Sequence, residues 1–336
     1  MTIITDEGVD LTEDEAKLYD RQIRLWGWDA QKRLRGSKIL VYGMSGLGAE
    51  VVKNVVLAGV KSMTVMDPEI TTAENSYTNF FLPVEKIGEN RASAAVNAIK
   101  ALNPSVEVLA ETDKLESKND SFFDQFDAVC LVGASQKQII RVNDICAALH
   151  KKFFCADVFG FYGYVFTDLG VHKYTEEVEV SQPSDPKKPK LDTVTKTFMK
   201  TRAFVPFKDT LDLVWTEGDF KGRVKKVDVT LFIIQALMAF VDAKGRLPSV
   251  DTLEADKKSL TELTESILEK GNVPKDKLPL DFVDNVFGCL MPVCAIVGGV
   301  LGQEIIKACS HKDPPFNNTF LYDGINSSGT VQCLKK

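Results

Sequence analysis

Lys38-Ile39-Leu40-Val41-Tyr42-Gly43-Met44-Ser45-Gly46-Leu47-Gly48 is the stretch that decides the fold. A short β-prone run, Lys38–Tyr42, breaks into a glycine loop, and Ala49–Ala58 then reads as an apolar helix stopped by Gly59. A second strand, Ser62–Met66, ends at Asp67, 24 residues after Gly43. This order suits a Rossmann-like nucleotide fold: backbone N–H groups and a helix N-terminus face the phosphates, and the acid takes the ribose hydroxyls. Glycines alone could serve a tight turn and close helix–strand packing, so the acid on the next strand carries the reading. Ser45 spoils the pocket. It stands where a second glycine lets the backbone approach a pyrophosphate, and its side chain fills that space. Gly43, Ser45, Gly46, Gly48 and Asp67 therefore keep the fold while describing a degenerate nucleotide site.

Working outward, Glu13–Tyr19 and Trp28–Leu34 read as short helices, the first capped by Thr12. Beyond Asp67, helix Arg91–Leu102, strands Val106–Leu109 and Ala128–Val132, helix Gln138–His150 and strand Phe153–Ala156 continue the alternation. Such alternation calls for a mostly parallel sheet with helices on both faces. The character changes after about Gly170. Ser181–Lys196 holds Pro183, Pro186, Pro189 and four lysines, and we expect a mobile loop there. Helices Val227–Ala243 and Thr252–Lys270 follow, ended by Gly245 and Gly271. Val293–Ala308 is apolar nearly all round, as a helix inside a core would be, and Thr319–Asp323 with Thr330–Leu334 form a closing hairpin. The expected organisation is a sheet domain begun by residues 10–175, a small inserted α+β segment at 176–270, and the sheet domain completed by 271–336.

The bulk properties narrow the function. A formal charge of −6 over 336 residues provides no net positive field for nucleic acid or an anionic membrane. No uninterrupted apolar run approaches the ~18 residues of a membrane span, and Met1–Asp10 lacks the apolar segment of a signal peptide. The seven cysteines, at 130, 146, 155, 289, 294, 309 and 333, form no C-x-x-C pair. They are expected to be reduced and mostly buried, with no metal site.

Tyr19-Asp20-Arg21-Gln22-Ile23-Arg24-Leu25-Trp26-Gly27, together with the glycine loop and Asp67, resembles the opening of the ubiquitin-activating/MoeB/ThiF adenylation family. Asp157-Val158-Phe159-Gly160, Met291-Pro292-Val293-Cys294-Ala295-Ile296-Val297-Gly298-Gly299, Gln303-Glu304-Ile305-Ile306-Lys307 and Asp313-Pro314-Pro315-Phe316-Asn317-Asn318 are similar too. The likeness spans nearly the whole chain except Ser181–Leu260. At this length it is nearest the small, non-catalytic subunits of heterodimeric SUMO activators. The resemblance implies the ThiF/MoeB adenylation fold, and its departures imply a pseudo-active site. Where the family places an Asn-Arg pair, this chain has Tyr77-Thr78; Glu89 replaces a usual lysine, although Arg91 keeps a cation nearby; Ser135 stands where a magnesium-binding aspartate is expected. Losing charged groups around the phosphates should remove adenylation by the chain alone.

The family passes the adenylated modifier to a cysteine in an inserted domain, yet the interval from Ala156 to Gly288 contains no cysteine. Cys289 and Cys294 lie in the returning apolar segment, where packing is the expected role. With so few residues after the closing hairpin, a ubiquitin-like domain is expected on the partner and not here. The resemblance thus implies a catalytic partner subunit that carries the thioester cysteine and binds ATP and Mg, with SUMO engaged through the complex. Arg21 is the one residue expected to act chemically, reaching the partner's ATP in trans, because a guanidinium bridges phosphate oxygens in a fixed fork. The alternative is that Arg21 and Arg24 are solvated side chains of a short helix. Lys187-Lys188-Pro189-Lys190 could serve as a nuclear import signal, or be merely a solvated loop. A self-sufficient adenylating enzyme for a sulfur-carrier protein is the main functional alternative. An NAD-dependent dehydrogenase is disfavoured by Ser45, and a pure scaffold would differ only in the role of Arg21.

Overall fold

The computed structural model describes residues 10–183, 191–211, 213–215 and 224–335. At its centre β1 (Lys38–Tyr42), β2 (Ser62–Met66), β3 (Glu107–Glu111), β4 (Ala128–Val132) and β5 (Lys152–Phe159) run parallel in the order β3-β2-β1-β4-β5. β6 (Tyr162–Asp168) pairs antiparallel with β5. The chain then leaves the sheet as a separate hairpin of β7 (Val171–Pro183) and β8 (Leu191–Ala203). It returns as β9 (Thr319–Asp323) and β10 (Ser328–Gln332), which add antiparallel strands beyond β6. The fold is α/β with a mostly parallel sheet, as the alternation of elements requires.

The period-two pleat sorts each strand's side chains to two buried faces. Ile39 and Val41 join one apolar cluster and Leu40 the other. The N-terminal helices α1 (Glu13–Leu18), α2 (Asp20–Trp26) and α3 (Trp28–Gly36) lead into the sheet, and Thr12 caps α1 in a reciprocal box with Glu15. On the first face lie α4 (Gly46–Leu57), reached before the short α5 (Ala73–Thr78), and α6 (Arg91–Leu102). On the second face, past α7 (Asp120–Asp124), lie α8 (Gln136–Ala148), α9 (Thr230–Lys244) and α10 (Leu253–Lys270). The twenty-residue α11 (Met291–Ser310) packs along α4 on the first face. It is long and apolar enough to cross a membrane, but 67% of that window is buried inside the protein. Close approach explains its glycines: a Cβ on Gly298 would stand 2.6 Å from the Glu50 Cβ, and one on Gly302 2.8 Å from that of Asn54.

Two readings change. β6 was not anticipated, although Gly160, with φ of 55°, and Phe161 make the tight link that turns β5 back on itself. Ser181–Lys196 was expected to be loop; Ser181–Pro183 and Leu191–Lys196 are instead paired strand. The alternation of Val, Thr and charged residues on both arms suits a ribbon, and it outweighs Pro183, which sits at the strand's last position. Residues 184–190, with the lysine cluster, lie outside the described residues. At the hairpin's root the Thr175 N–H donates to the His311 carbonyl at 2.9 Å, and the Asp313 N–H to the Thr175 carbonyl at 2.9 Å.

Candidate functional site

Neighbouring β1 and β4 feed connections to opposite faces of the sheet, and a cavity of about 530 Å³ opens near their carboxyl ends, where α/β folds place ligands. Ser45, Gly46, Asn75, Thr78 and Arg91 line it from the glycine loop and the segment after β2. Asp157, Cys289 and Cys294 line it from β5 and the start of α11, and Leu247–Asp251 borders it from the link between α9 and α10.

The glycine loop folds as its sequence demands. Gly43 has φ of 89°, and a Cβ there would meet the Val132 carbonyl at 2.1 Å; a Cβ on Gly48 would meet the Gly43 carbonyl at 1.9 Å. Ser45 is the N-cap of α4, its hydroxyl accepting from the Gly48 N–H at 3.4 Å. The serine therefore occupies a position from which a phosphate oxygen would accept. Asn79, buried at the end of α5, holds the loop from outside: its amide donates to the Met44 carbonyl at 2.9 Å and its oxygen accepts from Phe81 N–H at 2.8 Å.

Asp67 is only 1% exposed, and its carboxylate is fully engaged inside the protein. One oxygen accepts from the Met44 N–H at 2.7 Å; the other accepts from the Glu69 N–H at 2.9 Å and from the Arg91 guanidinium at 3.0 Å. The acid that would hold a ribose instead ties the glycine loop to β2 and to the first turn of α6. Arg91, the cation retained in the sequence, is held by the same pair, and its Nε is buried with no hydrogen-bond partner among the described residues.

The other positions are likewise committed locally. Asn75 accepts from Thr72 N–H at 3.0 Å in a capping box at α5, and the Thr78 hydroxyl donates to the Glu74 carbonyl at 3.0 Å. Tyr77 projects outward, 80% exposed. Ser135 caps α8 by accepting from Gln138 N–H at 3.3 Å, and it does not line the cavity. Glu89 pairs with Lys86 at 3.0 Å on the surface. No group of three or more His, Cys, Asp or Glu side chains suited to a metal occurs among the described residues. These side chains do not fit a magnesium–nucleotide complex: its metal ligand is a helix-capping serine and its ribose acid is consumed.

Arg21 lies away from this cavity, exposed on α2, and makes no hydrogen bond or ion pair among the described residues. Its neighbours differ. Arg24 pairs with Asp20 at 3.0 Å, and Arg35 with the buried Glu15 at 2.6 Å. Exposed apolar side chains accompany Arg21, notably Leu25, 74% exposed and one turn on along α2, and Leu57 at the end of α4. Gln22 donates from its amide to the Leu57 carbonyl at 3.0 Å, joining α2 to the end of α4.

Sequence reasoning passed over three features of the cavity. Asp157 entered only as part of a motif; burial pushes its carboxyl up to about 7, opposed by the Val158 N–H that donates to it at 2.8 Å. Cys294 is buried as expected, but Cys289 is half-buried in the cavity wall, its sulfur 3.5 Å from that of Cys294. The five-residue spacing of two thiols around a helix start was the available signal. Asp256, 1% exposed, accepts from Arg246 at 2.7 and 2.8 Å, from Ser249 N–H at 3.0 Å and from the Thr252 hydroxyl at 2.8 Å, which fixes Leu247–Asp251 over the cavity.

Residues 19–336 match the ThiF family. The chain is 44% identical over 338 residues to SUMO-activating enzyme subunit 1 of Homo sapiens, covering 98% of each chain. It is 45% identical to the Danio rerio protein of the same name, covering 98% of this chain and 97% of that one. The Xenopus tropicalis protein of that name is 43% identical over 344 residues, with 99% of each covered. With family match and relatives both running nearly end to end, the chain belongs to the ThiF family as a homologue of SUMO-activating enzyme subunit 1.

Proposed function

We propose that this chain is the non-catalytic, regulatory subunit of a heterodimeric SUMO-activating enzyme, and that it supports ATP-dependent adenylation and thioester transfer of SUMO on a catalytic partner subunit. The relatives' name supports the modifier. The observation that carries the non-catalytic reading is the buried Asp67 network, in which the Met44 and Glu69 N–H groups and the Arg91 guanidinium already engage the carboxylate. ATP and magnesium then belong to the partner's site, and this chain contributes Arg21. The exposed Leu25 and Leu57 near that arginine, which has no partner among the described residues, suit burial against the partner subunit, since exposed apolar patches mark interaction surfaces.

ATP–pyrophosphate exchange tests the proposal on the isolated chain and on the assembled heterodimer. The isolated chain should exchange no pyrophosphate with any ubiquitin-like protein, and the heterodimer should do so with SUMO. Robust exchange by the pure chain would favour the self-sufficient adenylating enzyme instead. We place the complex in the nucleus on the strength of Lys187-Lys188-Pro189-Lys190. Replacing those three lysines by alanine in a fluorescent fusion should lower nuclear accumulation, and unchanged accumulation would remove the motif as its cause.

A further inference from the structure

Cys289 and Cys294 form more than packing. Cys294 sits in the first turn of α11, Cys289 two residues before the helix begins, and their sulfurs are 3.5 Å apart at the wall of the cavity. A disulfide needs ~2.05 Å between sulfurs, so closure asks for a movement of roughly 1.5 Å. Cys289 has the freedom for it, because it lies outside the helix and is only half-buried.

The surroundings separate the two sulfurs chemically. The N-termini of the twelve-residue α4 and the twenty-residue α11 converge on Cys289. Gly46, the first residue of α4, lies against its sulfur: a Cβ on Gly46 would stand 3.3 Å from it. Cys294, deeper and fully buried, is within hydrogen-bonding reach of Cys289, and either sulfur can donate. The Cys294 hydrogen bond, followed by the Gly46 N–H, draws the Cys289 thiol below its ordinary range, against desolvation and the charges of Asp157 and Glu74. The same hydrogen bond and burial raise Cys294. Burial likewise raises Cys130, Cys155 and Cys309, and pushes Cys146 up to about 12. The anion seat at the head of α4, where a nucleotide phosphate would rest, thus receives the chain's own sulfur.

We propose that Cys289 and Cys294 are a reversible dithiol–disulfide modification site, with Cys289 the attacking thiol and Cys294 the resolving one, oxidised by small hydroperoxides that enter the cavity. The Cys289 thiolate attacks one peroxide oxygen and the O–O bond breaks. For hydrogen peroxide the leaving hydroxide takes up a proton as water, and Cys289 becomes a sulfenic acid. The Cys294 sulfur then attacks the Cys289 sulfur; the S–S bond forms, the S–O bond breaks, and the Cys294 proton leaves with the hydroxyl as a second water. Two thiols are oxidised by two electrons and one peroxide is reduced. A dithiol reductant reverses the change by exchange. Closure withdraws the sulfur's charge from the Gly46 N–H, so the redox state sets what the head of α4 presents to the cavity. The proposal is independent of which modifier the complex activates.

The test treats the full chain with hydrogen peroxide and maps its cysteines by mass spectrometry without reduction. Wild type should lose the mass of two hydrogens through a Cys289–Cys294 link, reversibly with dithiothreitol, before the exposed Cys333 is oxidised. In Cys294→Ser the reaction should stop at a sulfenic acid on Cys289 that dimedone traps, and Cys289→Ser should show neither product. A parallel measurement spares the fold: at about pH 6.5, iodoacetamide should label Cys289 of the untouched protein roughly tenfold faster than Cys333 despite its lower exposure. Oxidation or alkylation of Cys333 with Cys289 left intact would overturn the proposal, as would a Cys289 sulfenic acid in wild type that never passes to Cys294.

Discussion

Replacing Asp67 by alanine separates a structural acid from a nucleotide ligand. The substitution removes the acceptor of two backbone N–H groups, on Met44 and Glu69, and the partner of Arg91, whose Nε already lacks one among the described residues. An orphaned buried donor costs about 1–3 kcal/mol, and breaking a buried ion pair about 3–5 kcal/mol. The simple sum overshoots, because Arg91 borders the cavity and water can reach part of its guanidinium once the carboxylate is gone. A loss of about 3–5 kcal/mol in unfolding free energy is therefore expected, with Asp67→Asn losing about 1–2 kcal/mol less because one acceptor remains. Urea denaturation of the isolated chain at neutral pH measures both. At temperatures where the Asp67→Ala heterodimer stays folded, its nucleotide affinity should match wild type. A stability loss under about 1 kcal/mol, joined to weaker ATP binding by the chain itself, would refute the structural role.

Arg21→Ala should leave folding and pairing intact, since this exposed side chain has no partner among the described residues, yet lower modifier adenylation by the heterodimer about tenfold to a thousandfold. Pyrophosphate exchange on complexes verified by size exclusion checks it, and wild-type rates would leave this subunit a scaffold. Asp157→Asn should stabilise the chain in alkaline buffer. The native carboxyl binds its proton more tightly than the unfolded one, so wild-type stability falls as pH rises from about 4 to about 7 and stays lower above; the asparagine variant should gain about 1–2 kcal/mol at pH 8 and nothing in acid, and a pH-independent difference in thermal melts would contradict this. Asp256 has the opposite sign: the Arg246 guanidinium, then the Ser249 N–H and Thr252 hydroxyl, hold its carboxyl well below the usual range. Its contribution is present above pH 3.8 and fades only as pH falls through the depressed folded value. Asp256→Ala should cost about 1–2 kcal/mol at neutral pH and raise hydrogen exchange across Leu247–Asp251; unchanged exchange there would show that the segment is held by something else.

The parallel half of the fold was legible because its signals are local. The glycine loop, Asp67 and Gly59 bracket β1, α4 and β2 closely enough that the strands kept their bounds, while the helix start moved from Ala49 to Gly46 and its end from Ala58 to Leu57. The antiparallel additions were harder. β6 is buried on both faces, so Tyr162–Asp168 shows no polar alternation, and its neighbours β5 and β9 come from opposite halves of the chain. Prolines and lysines in Ser181–Lys196 drew attention from the β-branched alternation that makes β7 and β8. In the site, Ser45 was readable from sterics alone, but the engagement of Asp67 by Arg91 was not, since the two are 24 residues apart and meet only when α6 packs against β2. The Cys289 environment was invisible for the same reason. It needs the heads of α4 and α11 in one place, and they are more than 200 residues apart in the chain.

That separation also sets a timetable for synthesis. The inner side of α4 packs chiefly on α11, with Gly298 and Gly302 laid against Glu50 and Asn54. Between the last residue of α4, Leu57, and the last of α11, Ser310, a ribosome adding ~5–20 residues per second needs roughly 10–50 s. For that interval the face of α4 that meets α11 lacks its main native cover, and β6 waits a shorter time, from Asp168 to Asp323, for β9. A nascent chain in this state presents a sticky helix and an open strand edge together, the two features that holdase chaperones recognise and that aggregation exploits. Mutations that loosen α11 would then reduce the yield of folded protein during synthesis more than they destabilise molecules that have already folded.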